Sequence, residues 1–330
     1  SINLENPVPL RWSDAFFSGD NRVSALGLNP VIFLYDTLQV PHEPFDRAQV
    51  AAHYEVVSRY LGVSQPDAQS LNFVRHQSPQ PYAVAASQPP NVVFIMLESL
   101  GTSAVGAYGN PLNPTPNIDR LAKQSWFFQN FYVPVTGIAK TVWASLFNAL
   151  PGYDKYYMIG GNSGWANMNA LVRQSIDDVR LFEERDWRSP MVDVWGISDL
   201  DLFKESDRIL RNQAQGKPFF AYIQTAGNHR PFTIPAHMPP AFEKLGLESN
   251  NVPMLIHAPK LLEPKVIEQA VGLADLLPTV LGMVGVEFRN GAMGRDIQQP
   301  APEGERVVPL VLREGTFPLI GGVTKDFLLQ

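Results

Sequence analysis

The stretch NVVFIML at residues 91–97 decides the fold, and Glu98 follows it directly. Apart from Asn91, the stretch is a continuous apolar run without alternating polar residues. Such a run is typical of a strand that is buried on both faces, as strands are in a mostly parallel sheet. The sequence therefore predicts a core strand that ends at a carboxylate.

Further apolar runs predict more core strands, and helical patterns lie between them. The predicted strands are 219–225, 253–258 and 307–312, and the predicted helices are 199–210, with Ser198 as its cap, and 273–284. Strands that alternate with helices predict an α/β fold. Its mostly parallel sheet would be covered by helices on both faces.

Composition narrows the class of protein. The chain has 330 residues, of which 45% are apolar and 18% charged, as in globular proteins. The net charge of −6 and the lack of a Lys/Arg-rich run argue against nucleic-acid binding. The absence of cysteine excludes disulfides, thiolate metal sites and a cysteine nucleophile, and it suits an oxidising compartment.

The N-terminal part differs from the rest. Residues 1–85 predict a stem or linker region that packs on the main domain, residues 86–330. Within the stem, 45–63 carries a helical apolar pattern, and the polar stretch 77–90 contains four prolines. The chain begins at Ser1 without a signal peptide or an initiator methionine, so we interpret it as an excised or processed piece.

Three residues could carry chemistry, and each also has a plainer interpretation. Glu98 lies where ligands bind in open α/β sheets and could hold a hard cation, or it is a solvated strand-end acid. Thr141 lies between a Gly-containing loop and an apolar helical pattern. It could be a nucleophile beside backbone N–H groups that bind phosphate, or it is a plain helix cap. His229 follows the strand 219–225 and could donate to a phosphate or a leaving alkoxide, or it is a surface histidine.

The order of these segments is more specific than any one of them. The strand that ends in Glu98 is followed by TPNID at 115–119, by the Lys-Thr pair at 140–141 and by NHRPF at 228–232. This series resembles the lipoteichoic acid synthase-type phosphoglycerol transferases of the alkaline phosphatase and sulfatase superfamily. The resemblance covers roughly residues 91–330 and implies the sulfatase-like fold of that superfamily, with the predicted stem in front of it.

The resemblance implies a divalent metal ion, manganese first, with magnesium or zinc as alternatives. Glu98 would be one ligand. Thr141 would be both a ligand and the nucleophile that attacks a phosphatidylglycerol-like donor, releases diacylglycerol and carries a covalent glycerophosphate. A glycan or polyglycerophosphate acceptor would then take this group, and His229 would contact the phosphoryl group or protonate the leaving alkoxide.

The resemblance also implies a set of substrate-binding residues: Lys140, Gly161, Asn162, Trp165, Asn167, His229 and His237. The match departs from the family here. The family often has Asp at the position of Asn162, and its Gram-positive members have Trp and Arg at the positions of Ala166 and Met168. The donor lipid and the details of glycerol binding therefore stay open.

A larger departure concerns the metal. The family supplies two further ligands from an Asp-His pair, and this sequence contains no Asp-His dipeptide. Segments look to be missing near 152/153 and near 235/237, and the second would hold a helix, a core strand and the pair. Either the sequence omits these segments or the protein has lost them. We expect omission, because loss of a central strand would cost more than the typical net stability of about 5–15 kcal/mol.

Other functions stay open at this stage. They are a phosphoethanolamine transferase, which the lack of cysteine disfavours, a phosphodiesterase that uses water as acceptor, and a non-catalytic pseudoenzyme that binds glycerophosphate or glycan. A sulfatase is disfavoured because Lys140-Thr141-Val142-Trp143 does not fit the Cys/Ser-x-Pro-x-Arg pattern. The resemblance implies an extracytoplasmic, periplasmic or outer-face domain that upstream transmembrane helices tether to the membrane.

Overall fold

The computed structural model describes residues 46–77, 89–134, 150–164, 168–193, 195–213, 216–228, 251–300, 306–313 and 319–329. Several residues that the sequence singles out lie outside these ranges: Lys140, Thr141, Trp165, Asn167, His229 and His237.

Short strands and helices alternate along the chain. The described strands are β1 (Arg75–Gln77), β2 (Val92–Met96), β3 (Trp126–Phe128), β4 (Phe131–Tyr132), β5 (Asp154–Ile159), β6 (Arg180–Phe182), β7 (Phe219–Gln224), β8 (Met254–Ile256), β9 (Lys265–Ile267), β10 (Val271–Gly272), β11 (Phe288–Asn290), β12 (Val308–Arg313), β13 (Leu319–Val323) and β14 (Leu328–Leu329). The described α-helices are α1 (Arg47–Leu61), α2 (Pro116–Ala122), α3 (Met168–Ser175), α4 (Asp199–Gln213) and α5 (Leu276–Val284).

The largest sheet is parallel throughout its described part. Its strand order is β2-β7-β5-β6, and every neighbouring pair runs parallel. Aromatic side chains stack across the three strands β2, β7 and β5. The ring of Tyr222 lies 5.1 Å from that of Phe94 and 5.1 Å from that of Tyr157. Such cross-strand pairs stabilise a sheet and hold the register of neighbouring strands.

Helices cover both faces of this sheet, which confirms the predicted fold class. On the face of Tyr157 and Tyr222, apolar residues of α3 and α5, among them Val172 and Leu281, complete one buried cluster. On the opposite face, residues of α4 such as Leu202 pack on β5 and β7 in a second cluster. The sheet is therefore the centre of a three-layer α/β arrangement.

The prediction that the strand at 91–97 is buried on both faces is wrong for the described residues. Val93, Ile95 and Leu97 are 47%, 47% and 38% exposed. Val93 and Ile95 pair in register with Ala221 and Ile223 of β7, which α4 covers. The cluster around α4 includes residues of β5 and β7 and none of β2, so this face of β2 has no described helix against it.

The predicted strand at 219–225 is β7 of the large sheet, and the two remaining predicted strands form in smaller sheets. The run at 253–258 contains β8, which belongs to the three-stranded sheet β8-β3-β9. The run at 307–312 overlaps β12 of the antiparallel sheet β12-β13-β14. Phe94 packs against the cluster around β3 as well as the cluster on β5 and β7, so it links the two apolar cores.

The predicted helices form close to their expected bounds. α4 begins after Ser198. Oγ of Ser198 accepts a hydrogen bond from the backbone N–H of Asp201 at 3.1 Å and donates one to the Asp201 carboxylate at 2.7 Å. This is the capping arrangement that the sequence predicts. The helix predicted at 273–284 begins as a 3₁₀ turn and continues as α5. No described helix is long and apolar enough to cross a membrane.

The described N-terminal residues contact the later part of the chain. The hydroxyl of Tyr60, on α1, donates to the Val307 carbonyl at 2.8 Å. β1 pairs antiparallel with β11, and Arg75 on β1 donates to the carbonyl of Ala292 at 2.6 Å. The division into a stem of residues 1–85 and a domain of residues 86–330 stays a prediction.

Candidate active site

The carboxyl ends of four parallel strands meet at one edge of the large sheet. Because β2, β7, β5 and β6 are parallel neighbours, the residues that follow them lie side by side. These residues are Glu98 and Ser99, Thr225 to Asn228, Gly160 to Asn162, and Glu183 with Glu184. Ligands of open α/β proteins bind outside this edge, so it is the candidate site.

Glu98 is held at this edge by its neighbours. Its backbone N–H donates to Oγ1 of Thr225 at 3.0 Å, and the Thr225 N–H donates to the Met96 carbonyl at 3.0 Å. Thr225 is buried, while Glu98 is half-buried. The hydroxyl of Ser99 donates to Oε1 of Glu98 at 2.8 Å. These bonds fix the carboxylate directly beyond the end of β2.

Ser99 adopts an uncommon backbone conformation. Its φ of 50° lies in the left-handed region, which non-glycine residues rarely adopt. The side-chain amide of Asn228 donates to the Ser99 carbonyl at 2.9 Å and links the loops after β2 and β7. Strained conformations of this kind cost about 1–3 kcal/mol and cluster at functional sites. Asn228 is also the residue that precedes His229 in the chain.

Asp199, the first residue of α4, forms hydrogen bonds to the backbone of the loop after β7. One oxygen of its carboxylate accepts the backbone N–H groups of Ala226 at 3.2 Å and Gly227 at 3.0 Å. A Cβ on Gly227 would lie 2.7 Å from the other oxygen, so only glycine fits this close approach. Burial raises the pKa of Asp199, while the two backbone hydrogen bonds act in the opposite direction.

Gly161 and Asn162 lie at the end of β5, next to the loop after β7. A Cβ on Gly161 would come within 2.2 Å of the Trp195 carbonyl oxygen, so the close packing of these two backbone segments requires glycine. Oδ1 of Asn162 accepts the Gly164 N–H at 2.8 Å, and its amide donates to Oε2 of Glu184 at 3.2 Å. Asn162 therefore shapes the loop as well as lining the edge.

Sequence reasoning missed the acidic pair that follows β6. Oε2 of Glu183 accepts from the N–H and the hydroxyl of Ser163, at 2.8 and 2.7 Å, and Ser163 is fully buried. The backbone N–H of Glu184 donates to the Gly161 carbonyl at 3.0 Å. The available signal was an Arg-Leu-Phe run followed by two acids, but its place beside β5 depends on strand order.

The structure thus brings some of the predicted site residues to one edge. Glu98 follows β2, and Gly161 and Asn162 follow β5, two strands of the same sheet with β7 between them. The others, Lys140, Thr141, Trp165, Asn167, His229 and His237, lie outside the described residues, so their roles stay predictions. Sequence reasoning also missed Ser99, Thr225 and Asp199, which position the edge.

The described residues alone do not fit a divalent ion. No three His, Asp or Glu side chains in the described part of the chain lie close enough together to hold one. Glu98 contributes one carboxylate, one oxygen of which already accepts from Ser99. Divalent cations require more oxygen or nitrogen ligands than this. Any complete donor set must include residues beyond the described ranges.

Known proteins share this architecture. A protein in the alkaline phosphatase superfamily from Vibrio parahaemolyticus superposes with a TM-score of 0.65 at 20% identity, covering 86% of this chain and 85% of that one. This is the fold of the alkaline phosphatase superfamily. The lipoteichoic acid synthase LtaP from Listeria monocytogenes superposes with a TM-score of 0.59 at 15% identity, covering 82% and 86% of the two chains.

Sequence comparison agrees with this fold. The family model of the sulfatases matches residues 90–146 and 144–248. The lipoteichoic acid synthase-like protein YvgJ from Bacillus subtilis (strain 168) is 20% identical over 383 residues, covering 83% of this chain and 60% of YvgJ. The resemblance to the lipoteichoic acid synthase-type branch is therefore confirmed. Since the alignment is longer than the 330 residues of this chain, YvgJ carries internal segments that this sequence lacks.

Similarity to sulfatases is stronger but shorter. N-acetylgalactosamine-6-sulfatase from Canis lupus familiaris is 40% identical over 126 residues, which are 37% of this chain and 24% of the sulfatase. Arylsulfatase A from Homo sapiens is 41% identical over 68 residues, 21% of this chain and 13% of the relative. The chain thus matches only a small part of the length of these curated relatives. Members of the superfamily are hydrolases or transferases that depend on divalent metal ions.

Proposed function

We propose that this protein is a metal-dependent phosphoglycerol transferase. The observation that carries the proposal is the fixed position of Glu98 beyond the end of β2, beside the Thr225–Asn228 loop that leads into His229. The similarity to YvgJ over 83% of the chain supports the same reaction class. In this proposal Thr141 is the nucleophile, and Glu98 and Thr141 contribute to a site for manganese, with magnesium or zinc as alternatives.

The reaction would proceed in two balanced steps. The Thr141 hydroxyl attacks the phosphorus of a phosphatidylglycerol-like diester, and the bond from phosphorus to the diacylglycerol oxygen breaks. The Thr141 hydroxyl gives up its proton as it attacks, and the diacylglycerol oxygen takes up a proton as it leaves, for which His229 is the proposed donor, so the number of protons is conserved. An acceptor hydroxyl on a glycan or polyglycerophosphate then attacks the same phosphorus. The bond to Thr141 breaks, and the threonine regains its proton. The bound ion would stabilise negative charge on the phosphoryl oxygens.

The described residues would act by positioning. Thr225 and Ser99 hold the Glu98 carboxylate, and Asn228 ties the loop before His229 to the end of β2. Gly161 and Asn162 would offer the glycerol end of the donor a surface on the neighbouring strand β5. In phosphoryl transfer, rate enhancement comes mainly from positioning and charge stabilisation, so such residues matter for the rate.

The test measures diacylglycerol release from phosphatidylglycerol vesicles with added manganese. We expect release by the wild-type protein and loss of at least about 100-fold in Glu98→Gln, the size typical for removal of one electrostatic group at an active site. Glu263→Gln, which changes an exposed glutamate in the same way, should keep full activity. Activity that survives Glu98→Gln would contradict the proposal. Glycerophosphate binding without turnover would indicate the non-catalytic alternative.

Two further assays identify the acceptor and the donor lipid separately. Free glycerophosphate as the product in the presence of glycan acceptors would indicate a phosphodiesterase, since water then takes the group. Release from phosphatidylethanolamine in preference to phosphatidylglycerol would indicate a phosphoethanolamine transferase. We propose an extracytoplasmic location, which the similarity to YvgJ and to LtaP supports.

A second candidate, sulfate ester hydrolysis, rests on the 40% identity with N-acetylgalactosamine-6-sulfatase over 126 residues. The chain contains no cysteine, and the segment around Thr141 lacks the Cys/Ser-x-Pro-x-Arg pattern. An aryl sulfate assay decides between the two functions. Turnover of the aryl sulfate without diacylglycerol release would favour the sulfatase.

A further inference from the structure

Three buried or nearly buried arginines, Arg75, Arg295 and Arg306, surround one aspartate. Arg75 and Arg295 are 4% and 7% exposed, and the Arg306 side chain is 11% exposed. One carboxylate, that of Asp275, lies among them and forms an ion pair with Arg306. Neither Arg75 nor Arg295 forms a salt bridge with any described residue. Counted over the described residues of this group, three guanidinium groups and one carboxylate leave an excess of two positive charges.

Asp275 has little capacity left to neutralise this excess. Besides Arg306, its carboxylate accepts the backbone N–H groups of Gly272 at 2.7 Å and Arg295 at 2.8 Å. Burial, together with the nearby charge of Arg295, lowers the pKa of Arg75 to about 10, although the charge of Asp275 acts in the opposite direction. Burial also lowers the pKa of Arg295. Buried charges without partners are costly, so the cluster favours a negatively charged group.

Part of the cluster is satisfied by the fold itself. One nitrogen of Arg75 donates to the carbonyls of Ala292 and Gly294, and the Arg295 guanidinium lies 4.7 Å from the centre of the Tyr60 ring. Two nitrogen atoms of the cavity-lining arginines have no such partner. Nη2 of Arg295 and Nε of Arg306 are buried and have no hydrogen-bond partner in the described structure. Buried polar groups are mostly hydrogen-bonded, so these two nitrogens are available to donate to a bound group.

Arg295 and Arg306 line the same cavity, which has a volume of about 50 Å³. The cavity lies where the parallel strands β4 and β10 end, and Tyr60 of α1 and Asp275 also line it. At about 10–15 Å³ for each water-sized group, it has room for three to five oxygen atoms. Met293, which is 49% exposed, marks the side that faces solvent.

We propose that this cavity binds a tetrahedral oxyanion, a phosphate or sulfate group, through Arg295 and Arg306, with Arg75 as a supporting charge behind them. The forked donors of arginine match phosphate and sulfate oxygens. The size of the cavity suits one such group, and the excess of two positive charges suits a dianion. Glu98, Gly161 and Asn162, the described residues of the candidate active site, do not line this cavity.

The experiment titrates sodium sulfate into the protein by calorimetry, with sodium chloride at equal ionic strength as the reference. The candidate active site is silenced by the Glu98→Gln substitution and a chelator, so that anion binding there does not contribute. We expect one saturable site for sulfate that chloride does not reproduce. A parallel titration with glycerol 3-phosphate distinguishes a free inorganic ion from the phosphate group of a larger molecule. Tighter binding of glycerol 3-phosphate than of sulfate and inorganic phosphate would indicate the larger molecule.

Variants localise the site. Arg306→Gln and Arg295→Lys should each weaken sulfate binding about ten-fold or more, as expected for loss of a charged hydrogen bond. Arg211→Gln removes the same charge from an exposed arginine and should leave binding unchanged. Circular dichroism checks that each variant is folded. If Arg295→Lys does not fold, the result for Arg306→Gln alone tests the proposal. Absence of saturable sulfate binding in the folded parent, or equal binding in both folded variants, would overturn the proposal whatever the transferase assay shows.

Discussion

Thr225→Val tests whether the hydrogen bond to Glu98 positions the candidate site. Valine has the shape of threonine, but it lacks the Oγ1 that accepts the Glu98 N–H at 3.0 Å. Thr225 is 2% exposed, so water does not readily replace the lost acceptor. An unsatisfied buried donor costs about 1–3 kcal/mol, and we expect the free energy of unfolding to fall by this amount.

Urea denaturation measures this loss. With a slope of about 2 kcal/mol per molar urea, the expected cost lowers the midpoint by about 0.5–1.5 M. Thr225→Ser is the matched control, because it keeps the hydroxyl and removes one methyl group, which is worth about 0.8 kcal/mol. Diacylglycerol release should fall more in the valine variant than in the serine variant. Equal or smaller effects in Thr225→Val than in Thr225→Ser would refute the positioning role.

Three further predictions concern the same edge of the sheet. Burial raises the pKa of Asp199, so the folded state binds a proton at this carboxyl group more tightly than the unfolded chain does. The stability that comes from this proton is present below a pH of about 4 and is lost as the pH rises through the raised pKa. Over that range the wild type should therefore lose stability relative to Asp199→Asn, measured as the free energy of unfolding of each protein. A difference between the two that does not change with pH would contradict this. Gly161→Ala forces a Cβ against the Trp195 carbonyl and should cost about 1–3 kcal/mol by chemical denaturation, whereas unchanged stability would mean that the two segments separate easily. Removal of divalent ions with a chelator should abolish diacylglycerol release and added manganese should restore it; release that persists in the chelator would exclude the proposed metal dependence.

Local patterns in the sequence predicted local structure well. The apolar run before Glu98 is a strand, and Ser198 caps α4 through the acid three residues later, because both features depend on neighbours in the chain. The helix predicted at 199–210 is α4, and its residues Leu202 and Ile209 are buried against the sheet. The place of Glu98 at a strand's carboxyl end could also be read from the sequence.

Features that depend on strand order could not be read in this way. β5 lies in the middle of the sheet and its last four residues are buried, yet its sequence DKYYMI begins with two charged residues. The exposure of Val93 and Ile95 was missed because an apolar run does not reveal which faces have helices against them. Thr225 and Asp199 act on the site from other strands and helices, so only the fold shows their contacts with it.

The most direct test of the proposed transferase is a search for the covalent intermediate. The protein is incubated with phosphatidylglycerol and manganese without acceptor, digested, and analysed by peptide mass spectrometry. The account predicts that the peptide containing Thr141 gains the mass of one glycerophosphoryl group and that Thr141→Ala does not. Diacylglycerol release without any modification of Thr141 would contradict it.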